Sequence, residues 1–124
     1  MDFVAFVALL ALIEYVAISI QTGRARGQYG VKAPATTGHP VFERWLRVQQ
    51  NTLEQLAVFL PSLFLFASYV SPRWAAILGL VFVAGRAIYA RSYVADPESR
   101  SLGFGLTFVP NMILLLGALL AVIF

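Results

Sequence analysis

Residues 102–124 read LGFGLTFVPNMILLLGALLAVIF, a run in which no side chain carries a charge. Three further apolar blocks precede it, at about residues 3–21, 55–71 and 74–93. Each block approaches the roughly 20 residues that a helix needs to cross the hydrocarbon core of a membrane. Only helices satisfy their backbone hydrogen bonds within such separate spans, so the sequence predicts four transmembrane helices.

The composition agrees with a membrane protein. Of the 124 residues, 60% are hydrophobic and only 12% are charged, whereas about 25% of the residues in soluble proteins are charged. We therefore expect one all-α domain over residues 1–124, a four-helix transmembrane bundle. Its helices are expected at about residues 2–21, 42–71, 74–94 and 97–123.

The connection between the first two helices is expected to be a long loop over residues 22–41. Its helix-breaking residues are Gly23, Gly27, Gly30, Pro34, Gly38 and Pro40. Loops of this length in compact domains are usually functional or disordered. We expect His39, within this loop, to have a solvated side chain. Pro61 and Pro110 predict kinks inside the second and fourth helices.

Positive charge is concentrated beside two of the three connections. Of the nine lysines and arginines, only Arg73 lies in the second connection. The others flank the first and third connections: Arg24, Arg26, Lys32, Arg44, Arg47, Arg86, Arg91 and Arg100. The positive-inside rule therefore places the first and third connections in the cytoplasm and both termini on the opposite side. We attribute the basic excess to this topology rather than to nucleic acid, and we expect the first span to be retained because it lacks a signal-peptide pattern.

The segment FERWLRVQQNTLE, residues 42–54, carries charge into the start of the second span. Charge at membrane depth costs about 2.5–3.5 kcal/mol per residue, so it rarely persists without a partner or a function. In a helix, Arg47, Asn51 and Glu54 lie at i, i+4 and i+7, on one face. A cation, an amide and an anion on one face suit a small ligand that carries carboxylates and an amine. A structural ion pair between helices is the alternative for these residues.

A second polar face is predicted near the end of the third helix. Arg86, Tyr89 and Tyr93 lie there at i, i+3 and i+7. Tyrosines at a membrane boundary are commonly interfacial anchors, but the neighbouring arginine favours a pocket. Arg100 follows residues 96–98, a typical helix start. It is either an ordinary positive-inside residue or a group that stabilises a bound thiolate, aided by the field of the helix N-terminus.

Glu14 lies near the middle of the first span, where a carboxyl group needs a partner or a proton. It could pair with a buried arginine, stay neutral in the bundle core, or serve as the proton-coupled site of a small transporter. The chain has no cysteine, so any thiol chemistry would have to come from a ligand. No metal-binding motif is present, and we expect no metal site.

Taken together, these residues resemble the family of membrane-associated proteins in eicosanoid and glutathione metabolism. The resemblance covers nearly the whole chain, with four spans in the same layout. It is most specific between residues 34 and 54. The matching residues are Thr36, Thr37, Gly38, Phe42, Glu43, Arg44, Arg47, Gln49, Asn51 and Glu54, followed by Arg86, Tyr89, Tyr93 and Arg100.

The resemblance implies a homotrimer of four-helix subunits that binds glutathione at each subunit interface, near the cytoplasmic side. Arg26, Arg47 and Gln49 would engage the carboxylates of glutathione. Asn51 and Glu54 would bind its glutamyl end, with Glu54 facing the amine.

The resemblance assigns further roles to the third and fourth helices. Tyr89 and Tyr93 would line the bound peptide, and Arg86 would support the pocket. Arg100 would be the catalytic residue that holds the sulfur as a thiolate. The pattern that supplies these roles has a tyrosine directly after the glutamate, where this chain has Gln55.

The activity implied is that of a glutathione transferase or peroxidase attacking lipophilic electrophiles dissolved in the bilayer. Compact members of this kind are bacterial, which would place the chain in an inner membrane. One alternative is a non-catalytic, lipid-binding scaffold of the same family. Another is a proton-coupled transporter of the small multidrug resistance type, a class with short loops and no comparable polar face. The sequence selects neither the electrophile nor the choice between conjugation, peroxide reduction and isomerisation.

Overall fold

The computed structural model describes residues 1–124 and contains four long helices and no strand. The helices are α1 (Asp2–Gln28), α2 (Pro40–Tyr69), α3 (Pro72–Ala95) and α4 (Ser101–Ile123), with a short 3-10 turn at Pro97–Ser99. All four helices are long and apolar enough to cross a membrane. The prediction of an all-α, four-helix membrane fold is confirmed.

The first helix is longer than its sequence predicts. It continues to Gln28, so the expectation of a loop is wrong for residues 22–28. Gly23 and Gly27 remain helical, whereas Gly30 adopts a positive φ of 69°. This left-handed residue stops the helix, and the backbone N–H of Val31 then donates to the carbonyl of Arg26 at 3.0 Å. The connection therefore covers residues 29–39, and the helix ends just before Gly30, the first of two glycines in it with a positive φ.

The second helix begins at Pro40 with His39 as its N-terminal cap. The Nδ1 atom of His39 accepts a hydrogen bond from the backbone N–H of Val41 at 3.2 Å. Its ring also stacks on Tyr29, with the two ring centroids 3.8 Å apart. The expectation of a solvated His39 is therefore wrong, because capping and stacking hold this side chain in a half-buried position.

Helices α2 and α3 form the centre of the bundle, and α1 and α4 each pack against both of them. The main core takes residues from all four helices and includes the stacked rings of Phe59 and Phe82, whose centroids are 3.9 Å apart. Helices α2 and α4 continue through Pro61 and Pro110. The outer surface is apolar, with large exposed side chains such as Phe3, Ile13 and Leu120. Such a surface suits contact with lipid.

The fourth helix begins at Ser101 rather than near residue 97. The Asp96 carboxylate does cap the preceding turn, where it accepts the backbone N–H of Glu98 at 3.1 Å. That turn is 3-10 rather than α-helical. Arg100 consequently lies at the N-cap of α4, where the helix dipole is most favourable to an anion.

Candidate functional site

The polar segments of the chain meet at one end of the bundle. Successive helices run in opposite directions, so α1 and α3 end where α2 and α4 begin. The hydroxyl of Thr22 on α1 shares its proton between the carbonyl of Ile18 in the same helix, at 2.9 Å, and the carbonyl of Trp45 on α2, at 3.2 Å. Arg44 donates from Nη1 to the carbonyl of Val94 at the end of α3, at 3.0 Å. These bonds fix the start of α2 between its two neighbours.

A pocket of about 310 Å³ opens at this end. Its lining residues come from α2, α3, α4 and the α4 N-cap: Arg47, Asn51, Tyr89, Tyr93, Arg100 and Phe104. Five of the six belong to the residues selected from the sequence. The structure therefore brings together side chains that are up to 53 positions apart, counted from residue 47 to residue 100.

One wall of the pocket consists of stacked tyrosines. The rings of Tyr89 and Tyr93 have centroids 5.6 Å apart and an interplanar angle of 22°. Tyr89 is buried, and Tyr93 is partly exposed. The i, i+4 spacing of the pair on α3 places the two rings one above the other.

Helix α4 reaches this tyrosine wall because Gly103 has no side chain. A Cβ atom at Gly103 would lie 2.5 Å from the Cα of Tyr89 and 2.8 Å from its Cβ. Gly85 on α3 makes the reciprocal approach, since a Cβ there would lie 2.7 Å from the Cβ of Leu106. These two glycines let the α3 and α4 backbones touch. The contact brings the residues flanking Gly103, Arg100 and Phe104, into the pocket.

Asn51 is the buried polar group of the pocket. It is 8% exposed, and its side-chain oxygen is buried without a hydrogen-bond partner in the chain. Buried amide oxygens in proteins almost always accept a hydrogen bond, so this acceptor calls for a donor. Because Asn51 lines the pocket, an N–H group of a ligand could supply this donor.

The chain's one salt bridge joins the two charges on the polar face of α2. Arg47 Nη1 lies 3.6 Å from Glu54 Oε1, and the two side chains are 48% and 61% exposed. Ion pairs that are this exposed contribute at most about 1 kcal/mol to stability. Both side chains thus remain free to exchange this contact for ligand groups of opposite charge, although Glu54 does not itself line the pocket.

Arg86 lies behind the tyrosine wall and does not line the pocket. It is fully buried. Its Nη2 atom donates to the hydroxyl of Thr52 at 2.9 Å, and its guanidinium carbon lies 4.3 Å from the centroid of the Tyr89 ring. This is a cation–π contact that fixes the back of the wall.

Arg26 and Gln49 also lie outside the pocket. Arg26 donates from Nη1 to the carbonyl of Ala35 at 2.8 Å and covers the Phe42 ring at 4.6 Å, so within one chain it holds the first connection in place. Gln49 follows Arg47 by two positions on α2, which turns it about 200° away around the helix.

Phe104 is the one lining residue that was not predicted from the sequence. This residue supplies the apolar part of the pocket lining. It lies four positions after Arg100, and that spacing on α4 was the available signal. A larger pocket, of about 730 Å³, lies at the opposite end of the bundle between the starts of α1 and α3. Most of its lining is apolar, its charged side chains Asp2 and Arg73 are exposed, and none of its residues has a buried polar atom without a partner.

These features define a class: a small, four-helix membrane protein with a cationic, tyrosine-walled pocket at one end. The model of the MAPEG family matches residues 4–120. The chain therefore belongs to the MAPEG family, the membrane-associated proteins in eicosanoid and glutathione metabolism, as the resemblance predicted.

Curated relatives agree with this assignment. An uncharacterized protein of the cyanobacterium Synechocystis is 53% identical over 119 residues, which cover 96% of this chain and 87% of that protein. Human microsomal glutathione S-transferase 2 is 37% identical over 93% of this chain and 79% of its own length. Guinea pig leukotriene C4 synthase is 36% identical over 77% of this chain and 64% of its own length.

Proposed function

We propose that this protein is a glutathione-dependent transferase or peroxidase of the membrane, which activates glutathione as a thiolate and delivers it to lipophilic electrophiles. The observation that carries the proposal is the pocket itself, in which Arg47, Asn51, Tyr89, Tyr93 and Arg100 converge. The names of the relatives, a microsomal glutathione S-transferase and a leukotriene C4 synthase, support the same class of ligand.

The chemistry of glutathione suits the groups at this end of the bundle. The tripeptide carries two carboxylates, one ammonium group, two amide N–H groups and a thiol. When the exposed salt bridge between Arg47 and Glu54 opens, Arg47 binds a carboxylate of glutathione and Glu54 faces its ammonium group. The unpartnered oxygen of Asn51 accepts an N–H of the glutamyl end. The stacked rings of Tyr89 and Tyr93 flank the peptide.

Arg100 supplies the catalytic charge. One of its guanidinium nitrogens donates to the carbonyl of Pro97 at 2.8 Å, which leaves further N–H groups available to a sulfur atom. Together with the N-terminus of α4, this charge favours the thiolate form of bound glutathione over the thiol. The thiol proton leaves to solvent, and the sulfur attacks the electrophilic carbon. A carbon–sulfur bond then forms as the leaving group departs with its electron pair.

The second substrate reaches the sulfur from the bilayer. Phe104 forms the apolar edge of the pocket, and α4 exposes large apolar side chains such as Leu102 and Phe108 to lipid. A site at the membrane boundary admits glutathione from water and the electrophile from lipid. It thereby holds the two reactants next to each other.

A homotrimer completes the site in this proposal. Arg26 and Gln49 do not line the pocket of their own chain, so in this proposal a neighbouring copy presents them to the bound glutathione. In this arrangement the pocket lies at the subunit interface and faces the cytoplasm. Both termini lie on the opposite side of the membrane, the inner membrane in a bacterium.

The proposal is tested by turnover of a chloronitrobenzene electrophile with purified protein in detergent. We expect Arg100→Ala to lower kcat about 100-fold while changing the Kd for glutathione less than threefold, as for the loss of one charge-stabilising donor. Arg91→Ala is the matched control, because Arg91 is exposed on the same helix as the tyrosines but does not line the pocket. Equal losses of kcat and affinity in Arg100→Ala would contradict its role. A wild-type protein that binds lipid but not glutathione would favour the scaffold.

A further inference from the structure

Arg86 is a fully buried cation with incomplete hydrogen bonding. Of its donor groups, Nη2 bonds to Thr52, whereas Nε and Nη1 are buried without a hydrogen-bond partner in the chain. A guanidinium group that is buried within a bundle needs both a counter-charge and acceptors for its remaining N–H groups.

Glu14 has the complementary deficiency. Its Oε1 atom is buried and also lacks a partner. Among the six acidic residues it is the only one whose side chain is not exposed; the others are Asp2, Glu43, Glu54, Asp96 and Glu98. The bundle interior thus contains one acidic side chain and one fully buried arginine.

The helix register places these two groups at the same depth. Ile18 on α1, Val48 on α2, and Tyr89 with Ala90 on α3 form one buried cluster beside the pocket. Glu14 lies one turn before Ile18, and Arg86 lies one turn before Ala90 on a helix that runs in the same direction.

Helix α2 runs in the opposite direction, so Thr52, one turn after Val48, reaches this depth as well. The hydrogen bond from Arg86 to Thr52 at 2.9 Å agrees with this register. Helices α1 and α3, which carry Glu14 and Arg86, pack against each other.

We propose that Glu14 is a positioning residue of the pocket: its carboxylate pairs with Arg86 inside the bundle and holds the guanidinium group against the ring of Tyr89. The structure shows the contacts of Arg86 with the ring of Tyr89 and of Tyr89 with the stacked ring of Tyr93, and the proposed pairing adds the carboxylate on α1 to this series. Glu14 therefore acts on the pocket without touching it. Its effect on glutathione binding rests on the proposed function, whereas its pairing with Arg86 does not.

A double-mutant cycle tests this pairing, with the variants Glu14→Gln, Arg86→Met and the two combined. Asp2→Asn is the control, because it removes the same charge from the exposed far end of the same helix. Two quantities are measured in detergent: the midpoint of thermal unfolding and the Kd for glutathione by calorimetry. The cycle isolates the interaction between the two side chains from their separate effects.

We expect Glu14→Gln to lower the unfolding midpoint by about 5 °C and to raise the Kd for glutathione about tenfold, with Asp2→Asn unchanged in both. In the Arg86→Met background, Glu14→Gln should change neither quantity, because no buried cation remains to be neutralised. Glu14→Asp, which keeps the charge, should recover part of the affinity. If Glu14→Gln does not fold but the double variant does, this result also supports the pairing, because removal of the buried cation then rescues the loss of the carboxylate.

Equal effects of Glu14→Gln in both backgrounds would overturn the pairing, as would an effect no larger than that of Asp2→Asn. The pairing would likewise be overturned if the double-mutant cycle showed no coupling in the unfolding midpoint and Glu14→Gln bound glutathione with the wild-type Kd. If wild-type protein binds no glutathione, the proposed function fails. The thermal cycle then decides by itself whether Glu14 pairs with Arg86.

Discussion

Gly103 is the position where a single methyl group should disturb the site most directly. In Gly103→Ala the new Cβ would lie 2.5 Å from the Cα of Tyr89, whereas ordinary contacts lie at 3.4–4 Å. Helix α4 must therefore move by about 1 Å, because the opposing atom is backbone and cannot rotate away. Such overpacking costs about 1–3 kcal/mol. It also displaces Arg100 and Phe104, which flank Gly103 on α4, from the tyrosine wall.

Gly105→Ala is the matched control, since a Cβ at Gly105 would have no atom within 4 Å. Both substitutions stabilise the helix by the same amount, about 1 kcal/mol, so the difference in stability between the two variants reports the steric clash alone. We expect Gly103→Ala to unfold about 10 °C below Gly105→Ala in detergent and to bind glutathione at least about tenfold more weakly, judged by calorimetry. Equal midpoints and equal affinities in the two variants would refute the close approach of α3 and α4.

Two further predictions concern groups whose structural and ligand roles can be separated. Thr52→Val should lower the free energy of unfolding by about 1–3 kcal/mol, because Arg86 loses its acceptor. The control Thr107→Val should lower it clearly less, because Thr107 is equally buried but its hydroxyl bonds only within its own helix. Similar losses in thermal unfolding of both variants would count against a role for the Arg86 bond. Glu54→Gln should leave the unfolding midpoint within about 2 °C of wild type, since its ion pair with Arg47 is largely exposed, yet weaken glutathione binding about tenfold. A large fall in the midpoint with unchanged binding would instead make this ion pair structural.

The fold was predictable because its signal is local. Uncharged stretches such as residues 102–124 indicate membrane spans without any knowledge of packing. Helical periodicity likewise placed Arg47 with Asn51 on one face of α2, and Tyr89 with Tyr93 on one face of α3. Both pairs line the same pocket, because these faces of α2 and α3 lie toward each other.

The remaining features depend on tertiary contacts. Gly23, Gly27 and Gly30 look alike in the sequence, and only the backbone conformation of Gly30 shows which of them ends α1. The role of His39 as a cap depends on where α2 begins. The spacing from Arg100 puts Phe104 on the same face of α4, but that this face meets α3 depends on the close approach at Gly103, which arises from packing.

The candidate site itself was only partly accessible to sequence reasoning. The polar face of α2 does not reveal that Arg26 and Gln49 lie outside the pocket formed by their own chain. Such residues can be placed only once the packing of the helices is known. For a site shared between copies, the packing of the subunits must be known as well. The register between Glu14 and Arg86 is equally invisible along the chain, since it arises from the packing of α1 against α3.

The most direct test of the account is the ultraviolet difference spectrum on adding glutathione to the purified protein at neutral pH. Thiolates absorb in the ultraviolet where thiols do not, so the spectrum reports the ionised sulfur rather than binding alone. We predict a saturable thiolate signal in the wild type and in Arg91→Ala, and its loss in Arg100→Ala while calorimetry still detects bound glutathione. Binding without any thiolate signal in the wild type, or a full signal in Arg100→Ala, would contradict the proposal that Arg100 activates glutathione.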